Sequence, residues 1–570
     1  MSLRYRIDVA AGREPADLLL ENARVISVFA DRIISTSVAI ADGVIAGFGD
    51  YRARKKIDLR GGYLSAGLID SHIHIESTLL APSEFARCVV PRGTTAVVAD
   101  PHEIANVLGT AGIKWMLAAT EGLPLDVFMV LPSCVPASRF ESSAQRLDAA
   151  ALKALAGLPR VVGIGEVMDF PGVIAGRRDL LSKIRLIPGM RVDGHAPGLT
   201  GKDLYAYIAA GIHSDHESTR AAEAEEKLAA GLHIMIREGT TEKNLKELSR
   251  IVTPASSHRC FFCSDDRSAR DLLTHGHMDD ILRRAVAAGI PPVTALQMAT
   301  NNAPYYFRLK HRMGAVAVGY VADLVVFDDL RRFRARMVFK RGRIVARDGE
   351  LVAPCRLKSA PRKANAMRVK GLASARLRIG ASRTVRARAI RIVPGQIITR
   401  EEIVTMRPRE GEISADTSRD ILKLALFERH HATGRMGVGL VCGFGLTHGA
   451  LASTINHDAH NLIVVGTNDD DMIAAAEALV ACGGGLAAVQ SGRTVGLLPL
   501  PIAGLMSDMH AQDVVEAYSR ICKAASKLGA ALPDPFLTLS FLGLSVIPEL
   551  RLTDRGLLDV RQRRLVPLFV

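Results

Sequence analysis

What limits this chain most is a rhythm that runs from residue 68 to about 310: a short apolar run, a polar tip and a helical stretch, repeated eight times. The apolar runs cover 68–74, 94–100, 126–132, 161–166, 191–195, 211–216, 232–237 and 259–265. Runs this short and this continuously apolar read as strands buried on both faces. Helical periodicity fills most of the gaps, as at 104–118, 201–210, 221–229, 242–251 and 278–288. Eight β-α units in a span of about 240 residues fit an α/β fold of the (β/α)8 barrel type, which needs about 250. Chemistry in such a barrel sits where the strands end.

Residues 1–66 add shorter strand candidates at 18–20, 23–28, 33–40 and 44–46, separated by turns such as Ala41-Asp42-Gly43. A flank this small cannot close a sandwich by itself, and the strand pattern that returns at 314–319, 323–328 and 337–345 offers the remainder. The expected organisation is therefore a barrel at 67–311 inserted in a small β-sandwich whose two parts are 1–66 and 312–355. Residues 356–390 are basic, rich in Ser and Ala and weakly patterned, and read as a linker or crossover. From 391 to 570 strands are expected at 436–442, 461–465 and 486–490, with helices at 470–480 and 511–528. That pattern describes a separate C-terminal α/β or α+β domain.

Composition removes several partners. The formal net charge is +14, but aromatic residues make up only 5% and the cations are scattered outside a basic stretch at 331–388. A base-stacking surface needs aromatics among its cations, so no nucleic acid is expected. The eight cysteines are dispersed, and Cys260-Phe261-Phe262-Cys263 reads as buried strand thiols rather than a zinc or redox pair. No window reaches the roughly 18 apolar residues of a membrane span, and the N-terminus carries no signal-peptide core. A cytoplasmic protein without a membrane partner is expected.

The residues that end the eight runs share a chemical type. Six of the eight tips offer imidazoles or carboxylates: His72 and His74, Asp100, Glu166, His195, His216 and Asp265. Two apart on a strand, His72 and His74 point to one face. Glu166 ends the apolar run Val161-Val162-Gly163-Ile164-Gly165, where an unpaired carboxylate is costly and a cation or strong partner is expected. His195 stands in a Gly/Pro turn, and His216 lies between Asp215 and Glu217, acids suited to orienting its ring. Of the adjacent pair, Asp265 is the expected inward member because it ends the apolar run, which leaves Asp266 for Arg267 or a helix cap. Four histidines and two carboxylates exceed one tetrahedral zinc. They suit two divalent ions sharing a bridging carboxylate and a bridging hydroxide, and nitrogen and oxygen donors without thiolate fit Mn, Fe(II) or Zn.

Two further clusters stand apart. Asp100-Pro101-His102-Glu103 packs three ionisable groups around a proline, and Asp100, His102 and Glu103 are candidates for substrate binding or proton relay, with a helix-capping turn as the alternative. His457-Asp458-Ala459-His460 could serve as a lid over the site, a further metal site, a subunit contact or a structural turn.

The strings GLIDSHIHIEST (67–78), VADPHEIANVLG (98–109), GIGEVMDFPGVI (163–174), DGHAPGLTGKDLYAYIAAGIHSDHEST (193–219) and SDDR (264–267) carry these residues. Together with GVGLVCGFGLTHGALAS (437–453), NHDAHNLIVVGTNDDDM (456–472) and PFLTLSFLGLSVIPELRLTDRGL (535–557), they resemble the bacterial adenine deaminases of the amidohydrolase superfamily over nearly the whole chain. The resemblance implies hydrolytic deamination of adenine to hypoxanthine and ammonia, a purine-salvage reaction, at a centre of two divalent metal ions. It implies that His72 and His74 bind the first metal, that Glu166 bridges, that His195 and His216 bind the second, and that Asp265 completes the first while handling protons. Related barrels often bridge their metals with a carboxylated lysine, whereas the fourth strand here offers Glu166. In the expected chemistry a metal-bridging hydroxide attacks C6 of adenine, with Glu166 or the 100–103 turn serving the ring nitrogen N1. A homo-oligomer, as a dimer, is also implied. The rival readings are hydrolysis of another cyclic amidine or amide, and a catalytically silent barrel kept as a scaffold.

Overall fold

Each of the eight apolar runs contains a strand in the computed structural model, which describes residues 3–309, 312–355 and 366–570. The strands are Leu68–Ile73, Thr94–Ala99, Asp126–Pro132, Val161–Val167, Arg191–Gly194, Ser214–Asp215, His233–Arg237 and Cys260–Cys263. They pair in sequence order, each parallel to the next. A parallel bridge between Ile73 and Asp265 brings the eighth strand back to the first. Side chains reinforce that seam. Asp70 Oδ1 accepts the Ser264 N–H at 3.1 Å, its Oδ2 accepts the Ser264 hydroxyl at 2.5 Å, and Ser71 donates to the Phe262 carbonyl at 2.7 Å.

Alternation along the strands sorts the core. Ile69, Val98, Phe128, Val130, Met235, Phe261 and Cys263 fill the barrel interior with Tyr306 and Phe307 beneath them, whereas Cys260 and Phe262 face the helices outside. Cys260 and Cys263 therefore point to opposite faces, and both are free, buried thiols. The helices follow the expected periodicity with two exceptions: the helix expected at 104–118 breaks at Gly109 into His102–Leu108 and Thr110–Ala119, and the one expected at 242–251 shrinks to a single turn, Leu245–Leu248, followed by a 3-10 turn at Ser249–Ile251.

The strands before and after the barrel join through Tyr63–Ala66, which pairs antiparallel with Leu324–Phe327, into one nine-stranded sheet around its own core of Val25, Val38, Ile40, Leu64, Leu324 and Phe339. Residues 314–319 form turns instead of the expected strand, because Gly314 (φ +94°) and Gly319 (φ +84°) take left-handed conformations that interrupt extended backbone. A helix at Leu3–Ala10, not expected from the sequence, packs Val9 onto this sheet.

Of the segment read as linker, 356–365 lies outside the described residues, and the reading fails at its end: Val385–Ile392 is a strand paired on both sides in the C-terminal sheet. Its alternating Val/Ala/Ile positions supply the buried face, a period-two signal masked by the intervening arginines. The C-terminal sheet has eight strands, antiparallel throughout except where Val385–Ile392 meets Met436–Cys442. Helix Asp469–Cys482 covers one face and Ala511–Lys527 the other. Asn468 caps the former by accepting the Asp471 N–H at 2.8 Å, and three aspartates in its first turn complement the helix dipole.

Candidate metal centre

The strand ends bring His72, His74, Glu166, His195, His216 and Asp265 into one buried cluster at the mouth of the barrel. Glu166 is its middle. Oε1 lies 3.4 Å from His72 Nε2 and 3.1 Å from His74 Nε2, while Oε2 lies 2.5 Å from His195 Nδ1 and 3.3 Å from His216 Nε2. Asp265 Oδ1 closes the first side, 3.2 Å from His74 Nε2 and 3.8 Å from His72 Nε2. Two three-residue groups, His72–His74–Glu166 and Glu166–His195–His216, keep their donor atoms within 4.8 Å of one another.

Backbone geometry aims these groups. Asp265 adopts φ +53°, a conformation uncommon for a residue with a side chain and held here by strand pairing on the barrel seam: its N–H donates to the His72 carbonyl at 3.0 Å, and its own carbonyl accepts the His74 N–H at 3.2 Å. At His74, Nδ1 donates to the Asp100 carbonyl at 3.0 Å, which leaves Nε2 bare toward the cluster. Gly194 precedes His195 because a Cβ there would stand 2.4 Å from the Ser214 carbonyl oxygen.

Charge is concentrated and buried. Burial pushes the Glu166 carboxyl up, but His216, His195 and His72 outweigh it and hold the group well below the usual carboxylate range. At Asp265 the same upward push loses to the His74 hydrogen bond and the Arg237 guanidinium. Burial lowers His216, and Glu166 reverses that, raising it to about 9.

Arg237 lies outside the set of imidazoles and carboxylates that the strand tips suggest. It ends the seventh strand, donates to Asp265 Oδ2 at 2.8 Å, and also pairs with Glu217. Its position at a strand tip was the available signal. The two acids flanking His216 divide. Glu217 Oε1 lies 3.6 Å from His216 Nε2, whereas Asp215 turns to Lys227 Nζ at 2.9 Å and accepts the Ala196 N–H at 2.9 Å, fixing the turn after His195 rather than the His216 ring.

The residues fit divalent cations by the state of their buried polar atoms. Both ring nitrogens of His72, Nδ1 of His216 and both carboxylate oxygens of Asp100 are buried without a hydrogen-bond partner among the described residues. Unpaired buried donors and acceptors are rare and costly, and a cation ligated by imidazoles and carboxylates removes that cost. The donor set is nitrogen and oxygen alone.

The 100–103 turn splits between two neighbourhoods. His102 Nδ1 lies 3.6 Å from both Asp100 Oδ1 and Glu166 Oε1, at the edge of the centre. Glu103 faces the C-terminal domain, where its Oε1 meets His457 Nδ1 at 3.2 Å. Asp266, instead of pairing with Arg267, accepts the Ser77 hydroxyl at 2.5 Å, and Arg267 pairs with Asp280 at 2.6 Å. Ser77, Asp266, Glu103 and His457 line a cavity of about 740 Å³ between the barrel and the C-terminal domain, with Leu79 and Phe541 among its apolar walls. That volume is in the range of small-molecule sites. His457 stacks on Phe541, ring centroids 5.0 Å apart and planes 18° from parallel.

Residues 63–345 match the amidohydrolase family, and residues 396–564 match the adenine deaminase C-terminal domain. A protein of Carboxydothermus hydrogenoformans named adenine deaminase 2 is 47% identical over 563 residues, covering 99% of this chain and 98% of its own. An adenine deaminase of Nitratidesulfovibrio vulgaris is 47% identical over 559 residues, 97% of each chain. One of Methanothrix thermoacetophila is 46% identical over 574 residues, 100% of each.

Proposed function

The chain belongs to the adenine deaminase family of amidohydrolases, and from that premise we propose that it hydrolyses adenine to hypoxanthine and ammonia at the mouth of the barrel. One observation carries the reading: a single buried carboxylate, Glu166, offers one oxygen to His72 and His74 and the other to His195 and His216. His72, His74 and Asp265 would hold one divalent ion, His195 and His216 the other, with Glu166 between them and Mn, Fe(II) or Zn as the fitting metals. When bound, such ions make a water acidic enough to yield hydroxide near neutral pH.

The protein's own groups supply the rest. Asp265, kept ionised by His74 and Arg237, accepts the proton of the attacking water and delivers it to the amino nitrogen that leaves C6 as ammonia. A positioned acid/base of this kind contributes about 10²–10⁴-fold. His102, between Asp100 and Glu166, serves the proton at ring nitrogen N1. Ser77 and Asp266 present a hydroxyl and a carboxylate to the purine edge in the cavity, whose far wall the C-terminal domain supplies. The test is ultraviolet monitoring of adenine after loading the full-length protein with Mn, Zn or Fe(II), with ammonia and hypoxanthine measured together. Equal amounts of both are expected; metal-loaded protein that forms neither overturns the proposal.

A further inference from the structure

Glu103, His457 and His460 form a second group of buried imidazole and carboxylate donors, with ligand atoms within 4.8 Å of one another. His457 Nδ1 lies 3.2 Å from Glu103 Oε1 and His460 Nε2 lies 3.9 Å from Glu103 Oε2. Ligands about 2.05 Å from a tetrahedral zinc stand about 3.3 Å apart, so a small closing movement reaches that spacing. His460 is the second, independent sign. It is fully buried, and neither ring nitrogen has a hydrogen-bond partner among the described residues, although one faces a carboxylate. Around it, Asp458 Oδ1 lies 4.0 Å from His457 Nδ1, and Asp458 Oδ2 is also buried and unpartnered.

The turn that carries the histidines is built in advance. Arg429, fully buried, donates to the His460 carbonyl, and its N–H donates to Asn461 Oδ1 at 3.2 Å. Asn461 Nδ2 donates to the Ser142 carbonyl of the barrel at 2.9 Å. Meanwhile Glu103 opens the helix His102–Leu108, so barrel and C-terminal domain each contribute ligands.

We propose that Glu103, His457 and His460 bind a further divalent cation of the Zn class, which pins the C-terminal domain to the barrel beside the adenine cavity. This site is distinct from the centre around Glu166. The experiment counts Zn²⁺ bound per chain by elemental analysis after equilibrium dialysis, comparing the full-length protein with His460→Asn, His457→Asn and Glu166→Gln. The first two variants are expected to lose one equivalent each, and Glu166→Gln is expected to keep that equivalent while losing ions of the barrel centre. Should His460→Asn fail to fold, His457→Asn, at the cavity wall, gives the same reading. Wild-type binding that equals that of both histidine variants overturns the proposal. Because the readout is a difference, a barrel centre holding fewer ions than proposed lowers the totals of wild type and histidine variants alike and leaves the difference intact.

Discussion

The barrel centre and the interdomain cluster use the same types of side chain, both out of bulk solvent apart from a partly exposed His195, yet they are assembled differently. Ligands of the first come from strand ends locked in one parallel sheet, so their relative positions follow from hydrogen-bond register. Those of the second come from one helix start in the barrel and one turn in the C-terminal domain, joined by side-chain bonds such as Asn461 to Ser142, a single backbone bridge between Leu80 and Ser507, and the apolar packing of Leu505, Met506 and Val514 on the barrel core. A sheet sets geometry through many backbone bonds at once, whereas a domain contact sets it through a handful. The first arrangement suits reactive groups that must not drift, and the second suits a clamp that forms when two bodies dock.

The strongest way to break the comparison is to strip the divalent ions with a chelator. Adenine turnover is expected to vanish and to return on reloading, and turnover that survives complete removal, checked by elemental analysis, ends the metal reading of the centre. Next comes Asp265→Asn, which is expected to keep the ions and lose about 10²–10⁴-fold in turnover; near-normal steady-state rates would remove Asp265 from proton transfer. Arg237→Met leaves the Asp265 and Glu217 carboxylates buried without their cation. Breaking such a pair costs about 3–5 kcal/mol, to be read as a lowered midpoint in denaturant, and an unchanged midpoint would mean the pair is neutral to stability. Smallest is Asn461→Ala, which deletes the bond to Ser142 and an acceptor for the Arg429 N–H. It is expected to cost about 1–3 kcal/mol and to weaken the interdomain zinc while the ions of the barrel centre stay in place. Equal loss at both sites would erase the distinction between them.

Strand ends were legible because the signal is local: an apolar run stops, and the next residue is an imidazole or carboxylate. Arg237 ends a strand in the same way, but arginine is no metal ligand and its partners Asp265 and Glu217 lie far along the chain, so nothing local marks its role. The turns at 314–319 were hidden for another reason. Alternating Gly, Ala and Val satisfies a strand pattern, and only the backbone angles of Gly314 and Gly319 reveal the break. Val385–Ile392 shows the reverse, a strand whose arginines made it resemble linker. For Asp215 and Asp266 the sequence suggests partners next to them in the chain, whereas their partners are Lys227 and Ser77, brought up by the fold.

By itself the sequence determined the eightfold barrel, the chemical type of its strand tips and the family resemblance, because periodicity and residue type are properties of short segments. Tertiary structure alone decided that the two oxygens of Glu166 face different histidine pairs, that Arg237 holds Asp265, and that Glu103 meets His457 and His460. Each of these is a distance between residues remote in the chain, and such distances are set by the closing of the barrel and the docking of the C-terminal domain.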